Sequence, residues 1–430
     1  MMKAILFLTI SFYMYRFACV GDASEGSTST GLDEIDEMLQ FTDIPDSFID
    51  LPTKLYPLVL TFHKFLMMLD GTVGNSFFGR FPEAIGHSHG TKRASKSVAL
   101  KTFIRTKEVN YERFRSSYWP RFNNEQTKKF DSSTVFTEIM SHIKGGLPAG
   151  ESCDDKLGLE DYLSLAERRV STLSRQEREI IFDIFLQYER KKMKRGEFDL
   201  ADLVIDIHNR LKVSRYDGDN MDFVYIDEVQ DLSMRQVALF KYLCKNVAEG
   251  FVFSGDTAQT IARGIDFRFQ DIKFLFYKEF LLGTGNDGAY GKKEKGKIAD
   301  VFQLSQNFRT HAGILNLAQS VINLLYHFFP LSIDRLRPET SLIDGQVPVL
   351  LKSVNAENAF ISIFKNGGND GGKIIGFGAD QVILVRDDIA RNKIVDYVGK
   401  QALILTIMES KGLEFQVIMN PVDLSDIIKN

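Results

Sequence analysis

The chain has 430 residues, enough for two or three domains, and 44% of them are apolar, which excludes wholesale disorder. The formal net charge of −4 lends no support to a nucleic-acid partner, although a groove can be locally basic. Three cysteines, Cys19, Cys153 and Cys244, form no CxxC pair, which argues against a disulfide framework or a structural zinc site and fits a reducing compartment.

Met1–Val20 reads MMKAILFLTISFYMYRFACV, a lysine followed by an apolar run, as in a signal peptide. Arg16 interrupts the run, and no other stretch has the ~18 apolar residues that span a membrane. The alternatives are a buried element or the ragged edge of a truncated chain, so the nature of residues 1–45 stays open. Residues 21–32 are small and polar and read as linker. Residues 55–69 are apolar-rich and contain Thr61-Phe62-His63-Lys64-Phe65, and the polar, basic stretch 84–97 reads as a surface loop. From about 98 to 213, apolar residues recur at helical spacing among charges. Within Gln176–Lys194 the residues Ile180, Ile181, Ile184, Phe185 and Tyr188 share one face, as an amphipathic helix requires.

The pattern then changes. Phe223–Ile226 is a β-prone run ending at Asp227-Glu228, Met234–Val247 is helix-like, and Gly250–Phe253 is another short strand, ending at Ser254-Gly255-Asp256. Strand, acidic turn, helix, strand, polar turn is the rhythm of a parallel α/β sheet, whose functional groups gather at the carboxyl ends of the strands. Residues 283–297, rich in Gly and Lys, read as a flexible linker. A second α/β stretch follows, with a helix expected over Ile314–Phe328 and strands over Val347–Leu351, Gln381–Val385 and Ala402–Ile407.

Asp227-Glu228 carries the most chemistry. An ATPase of the P-loop class needs one carboxylate near Mg²⁺ and another to orient and deprotonate water, and two acids at a strand end supply both. For a bare pair, a solvated acidic turn is the bland alternative. The surrounding residues narrow the choice. Asp227-Glu228-Val229-Gln230-Asp231 resembles motif II, DE-x-Q-D, of the UvrD/Rep type of superfamily 1 helicases. Gly255-Asp256-Thr257-Ala258-Gln259 resembles motif III, and Gln306-Asn307-Phe308-Arg309 resembles motif IV. Thr406 with Ser410-Lys411-Gly412-Leu413-Glu414-Phe415 resembles motif V, and Thr61-Phe62-His63 resembles motif Ib. Phe198–Leu203 is similar to the DF-x-DL segment that precedes motif II. All six occur in family order across roughly residues 60–415. The stretch GDTAQTIARGIDFRF further resembles the eukaryotic branch that holds tetratricopeptide- and ankyrin-repeat helicase-like proteins.

The resemblance implies an α/β fold of two RecA-like P-loop NTPase domains, both incomplete, with a mainly helical insertion in the first. On that reading residues 46–75 are a remnant of the first domain, 76–215 the insertion, 216–282 the part with motifs II and III, 283–300 a linker, and 301–430 the second domain. It implies ATP and Mg²⁺ as cofactors, with Asp227 in the metal shell, Glu228 as general base, Gln259 sensing the γ-phosphate and Arg309 reaching it. Phe308 would stack on adenine, and Gly412 and Glu414 would touch ribose and phosphates. Thr61, Phe62, His63 and Thr406 would contact single-stranded or partly duplex nucleic acid, DNA before RNA. No membrane is expected, and the location is expected to be nuclear or cytoplasmic. For Phe62 a core position is the competing reading.

Four departures stand beside these expectations. No G-x-x-x-x-G-K-[ST] occurs in the chain; Gly291-Lys292-Lys293 and Gly372-Lys373-Ile374 lack the hydroxyl that ligates Mg²⁺. Ala262 precedes Arg263-Gly264 where the family has an aromatic residue, and Met408 stands where motif V has His. Gln416–Asn430 follows no family pattern, so motif VI is not found and the pattern looks clipped at both ends. A non-catalytic nucleic-acid-binding or regulatory module is therefore the second expectation. A secreted protein of unrelated function is the third.

Overall fold

The computed structural model describes residues 3–8, 44–85, 93–152, 154–168, 173–260, 262–282, 298, 300–330, 333–349, 381–398, 403–411, 413–415 and 417–419. They fall into two compact units. The first takes the described residues up to Val301 together with 329–334; the second takes Phe302–Phe328 and those from Arg335 onward.

The first unit is built on a parallel sheet of four strands, β1 (Ala4–Leu8), β2 (Leu58–Thr61), β3 (Phe223–Ile226) and β4 (Phe251–Phe253), in the order β2-β1-β3-β4. Short apolar runs suit a parallel sheet because its crossover connections ordinarily cover both of its faces. Ile5 pairs with Leu58 on one side and Val224 on the other, and Tyr225 pairs with Val252. Alternation along the strands sends Ile5, Leu58, Leu60, Val224 and Ile226 into the core. The buried-element alternative thus holds for Ala4–Leu8, which lies between two partners within the sheet. The rest of the signal-like run belongs to residues 9–43, outside the described residues.

Helix α1 (Phe62–Val73) follows β2 directly. The Thr61 hydroxyl caps it by accepting from the Lys64 backbone N–H at 3.2 Å. Helix α2 (Arg93–Lys107) begins inside the stretch expected to be a loop. Phe103 explains this, since its ring packs on Phe78, Phe81 and Phe198 and anchors a helix there. Helix α3 (Arg175–Lys194) opens on a capping box between Ser174 and Glu177 and buries Ile181, Ile184, Phe185 and Tyr188, while Ile180 is half-buried. Helix α4 (Leu200–Val213) opens on another, between Asp199 and Asp202. Helix α5 (Met234–Ala238) is shorter than the sequence pattern suggests. It tightens into a 3-10 turn over Leu239–Tyr242 and stops because the backbone is drawn into pairing with Met221. The Met221 N–H donates to the Leu243 carbonyl at 2.7 Å, and the Lys245 N–H donates to the Met221 carbonyl at 3.0 Å.

The DF-x-DL segment has a structural role. The fully buried Lys144 ammonium donates to Asp199 at 2.6 Å, Asp202 at 2.7 Å and Glu189 at 3.3 Å. Lys192 donates to Asp199 and Asp202 at 2.5 Å and to Glu189 at 2.6 Å. Burial opposes ionisation of these acids, but the two ammonium groups outweigh it, holding Glu189 down to about 2 and Asp199 lower still. The three carboxylates stand as close together as metal ligands, and the two lysines fill the space among them.

In the second unit β5 (Gln306–Asn307) pairs with β6 (Thr340–Ser341), and β7 (Gln381–Val385) lies between β8 (Ile404–Thr406) and β9 (Val417–Met419), all in parallel. Helix α6 (Ala312–Phe328) and helix α7 (Asp388–Val398) complete it. Val347–Val349 forms no strand, and residues 350–351 lie outside the described residues. Among the described residues no helix is long and apolar enough to cross a membrane.

The placement of β1 is testable. Ile5→Ala empties a fully buried position and is expected to cost about 2–5 kcal/mol of first-unit stability in urea titration. An unchanged midpoint would show that Ala4–Leu8 is not part of the sheet.

Candidate nucleotide and strand-engaging site

Strand direction assembles the candidate residues of the first unit. Because β1–β4 are parallel, the turns after β2, β3 and β4 lie at one edge of the sheet. These turns are Thr61–His63, Asp227–Glu228 and Ser254–Gln259. This is the edge at which open α/β sheets hold ligands.

At the end of β3, the Ser254 hydroxyl donates to Asp227 Oδ1 at 2.7 Å. Glu228 takes the left-handed conformation (φ 52°), uncommon for a residue with a side chain, and turns the chain into the short Val229–Asp231 helix. The adjoining Gln230 is fully buried. Its Nε2 donates to the Glu228 carboxylate, and its Oε1 accepts from the Asp256 N–H at 3.1 Å. One amide therefore fixes the acid of the β3 turn against the backbone of the β4 turn. Gly255 is required for this approach: a Cβ there would stand 2.3 Å from Gln230 Oε1. Asp231 is also buried and accepts from the Ala262 N–H at 3.4 Å, tying down the start of Ala262–Gly264. Gln259 is exposed, and its Nε2 donates to Asp256 Oδ2 at 3.0 Å.

Sequence reasoning named Glu228 and Gln259 and passed over Gln230, the residue that links their turns. The signal was present as the glutamine of DE-x-Q-D, two places from the acid pair. The Arg263-Gly264 pair is held from another side. Ser141 donates to the Gly264 carbonyl at 2.7 Å and accepts from the Asp266 N–H at 2.9 Å. The Arg263 guanidinium lies 5.6 Å from the Tyr111 ring centre.

The motif Ib residues divide. The Phe62 ring is buried against Phe65 and Phe240, at 5.7 Å and 6.0 Å between centroids, so the core reading holds and the ring is not open for stacking on a base. Thr61 spends its hydroxyl on the α1 cap, and His63 is half-buried.

Within the second unit, Arg309 and Glu414 come together from motifs IV and V. Arg309 Nε donates to Glu414 Oε1 at 2.6 Å, both side chains being largely exposed. The Asn307 side chain shapes the turn by accepting from the N–H groups of Arg309 (2.8 Å) and Thr310 (3.0 Å). Phe308 is 81% exposed. Thr406 is buried and donates from its N–H to Glu409 at 2.8 Å. Gly412 lies outside the described residues.

Buried contacts join α4 to α5. His208 on α4 is within 2.8 Å of the Arg235 carbonyl on α5, and Arg235 donates to the Asp155 carbonyl at 2.9 Å. Burial, with the Arg235 charge adding to it, depresses the His208 imidazole to about 3, so its Nε2 is a neutral N–H donor to that carbonyl.

Residues 101–279, which include the turns after β3 and β4 but not Thr61–His63, match the family model of the UvrD/REP helicase N-terminal domain. The chain is also 31% identical over 398 residues to the human TPR and ankyrin repeat-containing protein 1, across 86% of its own length. Over residues 101–279 the chain is similar to the UvrD/Rep type of helicases. A bacterial relative, an ATP-dependent helicase/nuclease from Syntrophomonas wolfei, is 28% identical over 150 residues, 34% of this chain. The chain spans only 13% of the length of the human relative and 11% of that of the bacterial one.

Two measurements probe this site. Gln230→Leu leaves the Asp256 N–H without its partner and is expected to cost about 1–3 kcal/mol in urea titration; an unchanged midpoint would remove Gln230 from its linking role. The second concerns pH. His208 titrates at about 3 when folded and at about 6.5 when unfolded. Between these values the unfolded state binds the extra proton, so stability falls as pH drops below about 6.5. The slope approaches about 1.4 kcal/mol per pH unit. His208→Gln, which keeps a donor and removes the titration, is expected to flatten the stability profile between about pH 6.5 and 5. An unaltered slope would contradict the buried neutral imidazole.

Proposed function

We propose that this chain is the ATP-engaging region of a UvrD-type helicase, a motor that translocates on or unwinds nucleic acid, DNA in preference to RNA. The observation that carries the reading is the Gln230 amide, which joins the Glu228 carboxylate to the Asp256 backbone and so gives motifs II and III a common hinge. A change at the hydrolytic acid is thereby felt at Gln259, four residues past Gly255.

The donor set suits Mg²⁺ and a nucleoside triphosphate. Asp227 offers a carboxylate oxygen at a strand end, the hard ligand Mg²⁺ prefers, and Glu228 offers a base on the very next residue. The bound ion would neutralise phosphate charge during hydrolysis. Glu228 would take the proton of the attacking water, and Gln259 would read the γ-phosphate. Arg309 would stabilise the charge developing on that phosphate, its planar fork matching two oxygens. Glu414 already engages the Nε edge of Arg309 and would hold the guanidinium in position, close to the ribose together with Gly412. Phe308, exposed beside Arg309, is available for the adenine ring. On this reading the chain comprises two RecA-like domains with the helical stretch 76–215 inserted in the first. Asp227, Glu228, Gln259, Arg309 and Glu414 then serve the nucleotide, and Thr61, His63 and Thr406 the nucleic-acid strand.

A second reading, a nucleic-acid-binding or regulatory module without turnover, is favoured by one specific observation: none of the 430 residues forms G-x-x-x-x-G-K-[ST]. Loss of that positioning forfeits on the order of 7–11 kcal/mol of barrier lowering, and each ~1.4 kcal/mol is tenfold in rate. The 430-residue chain by itself is therefore expected to release phosphate from ATP at background rate, with or without single-stranded DNA. The comparison is with Glu228→Gln. Turnover that disappears in the variant would establish a working site without the phosphate loop. The role of Arg309 is tested separately by titrating the chain with a fluorescent ATP analogue; an affinity unchanged by Arg309→Ala would sink that assignment.

A further inference from the structure

The chain is acidic overall, yet the end of α3 concentrates positive charge where no family motif lies. Arg190 and Lys191, neighbours in the chain, each stand three or four residues from Gln187 on one side and Lys194 on the other, so the four share a stripe of the helix. Lys192 is turned away from it, into the Asp199 network. The stripe continues onto a neighbouring segment. Lys191 Nζ donates to the Arg121 carbonyl at 2.8 Å and lies 4.4 Å from the Phe122 ring centre, while Gln187 donates to Gln126 at 3.4 Å. Arg195 lies 4.7 Å from the Tyr118 ring centre. Arg121, Arg190 and Lys194 are exposed. The acids of the adjoining segments are Glu112, Glu125 and Glu197; Glu197 is held by Arg113 at 2.6 Å and lies 4.0 Å from Arg195.

We propose that Arg121, Arg190, Lys191, Lys194 and Arg195 form a second nucleic-acid contact, a sequence-independent seat for the phosphate backbone of a duplex. Helix neighbours three or four residues apart lie about 5–6 Å from each other, a spacing that lets successive cations meet successive phosphates. Arginine and lysine suit this without reading bases. A lipid surface is less well served, because the exposed apolar side chains of α3, Leu186 and Met193, are two isolated residues and not a continuous face. The contact is independent of the nucleotide site: none of its residues belongs to motifs Ib to V, and nothing in it requires ATP. It also has a built-in reporter. The single tryptophan of the chain, Trp119, is half-buried two residues from Arg121, with its ring 6.2 Å from that of Phe122.

The test is fluorescence anisotropy of a labelled duplex of about 20 base pairs, titrated with the full chain without nucleotide, between about 50 and 200 mM salt. The patch variant is Arg121→Gln/Arg190→Gln/Lys194→Gln; the control, Lys54→Gln/Lys245→Gln/Lys393→Gln, removes as many exposed charges elsewhere. Each duplex phosphate contact contributes about 0.9 to the log–log salt slope, so losing three shrinks the affinity drop over that range by roughly 40-fold. The control is expected to keep the wild-type slope. Trp119 emission is expected to change on binding in the wild type and the control but not in the patch variant. Equal slopes for the patch variant and wild type would overturn the proposal. So would absence of duplex binding by the wild type, or capture by phosphatidylserine vesicles in place of the duplex. A chain that is no ATPase can still pass, and a working motor with the patch wrongly assigned fails, so the two readings are judged separately.

Discussion

The first unit depends on the pairing of β3 with a parallel neighbour on each side. Parallel strands deliver their carboxyl ends to one edge, and that alone brings residues near positions 61, 227 and 255 together. The finer adjustment is made by a single buried amide. Gln230 satisfies both halves of its side chain, one on an acid and one on a backbone N–H. A hydrocarbon there would keep the packing and lose the connection. Glycine at 255 and left-handed backbone at Glu228 are the local concessions that let the two turns approach.

The helical part of the same unit follows a different rule. Its centre is an ionic knot of two lysines and three carboxylates, buried at Lys144, Lys192 and Asp199 and half-buried at Glu189 and Asp202, and completed by the Tyr188 hydroxyl, which donates to Asp199 at 3.0 Å. Such groups gain little net stability when paired, but leave an uncompensated charge when one is removed. The knot therefore selects one arrangement of α3 against α4, since a slip of either helix would strand a charge. The capping of α4 and the seating of the lysines use the same two aspartates, which gives DF-x-DL a purely structural meaning in this unit.

What was legible in the sequence depended on the range of the forces involved. The α3 face was readable because Ile181, Ile184, Phe185 and Tyr188 encode it locally. So were β3 and β4, whose apolar runs end abruptly in acids. Ala4–Leu8 was not, because a central parallel strand and the core of a leader peptide are the same string of apolar residues, and only partners far along the chain distinguish them. Helix α5 was overestimated because its end is set by pairing to Met221, invisible in its own periodicity. Phe62 shows the limit of a motif: a matching residue type does not reveal which way a ring faces, and Phe240 claims it. Gln230 was passed over because its value lies in a contact with Asp256, 26 positions away.

The position of β1 also has a consequence in time. The Lys3 N–H donates to the Asp222 carboxylate 219 residues further on, at the mouth of the β1–β3 pair. During synthesis at about 5–20 residues per second, that partner emerges roughly 11–44 s after the strand that needs it. For that interval Ala4–Leu8 has β2 alone to join, on one side. The strand therefore spends that interval with its other edge unpaired and takes its place inside the sheet only later.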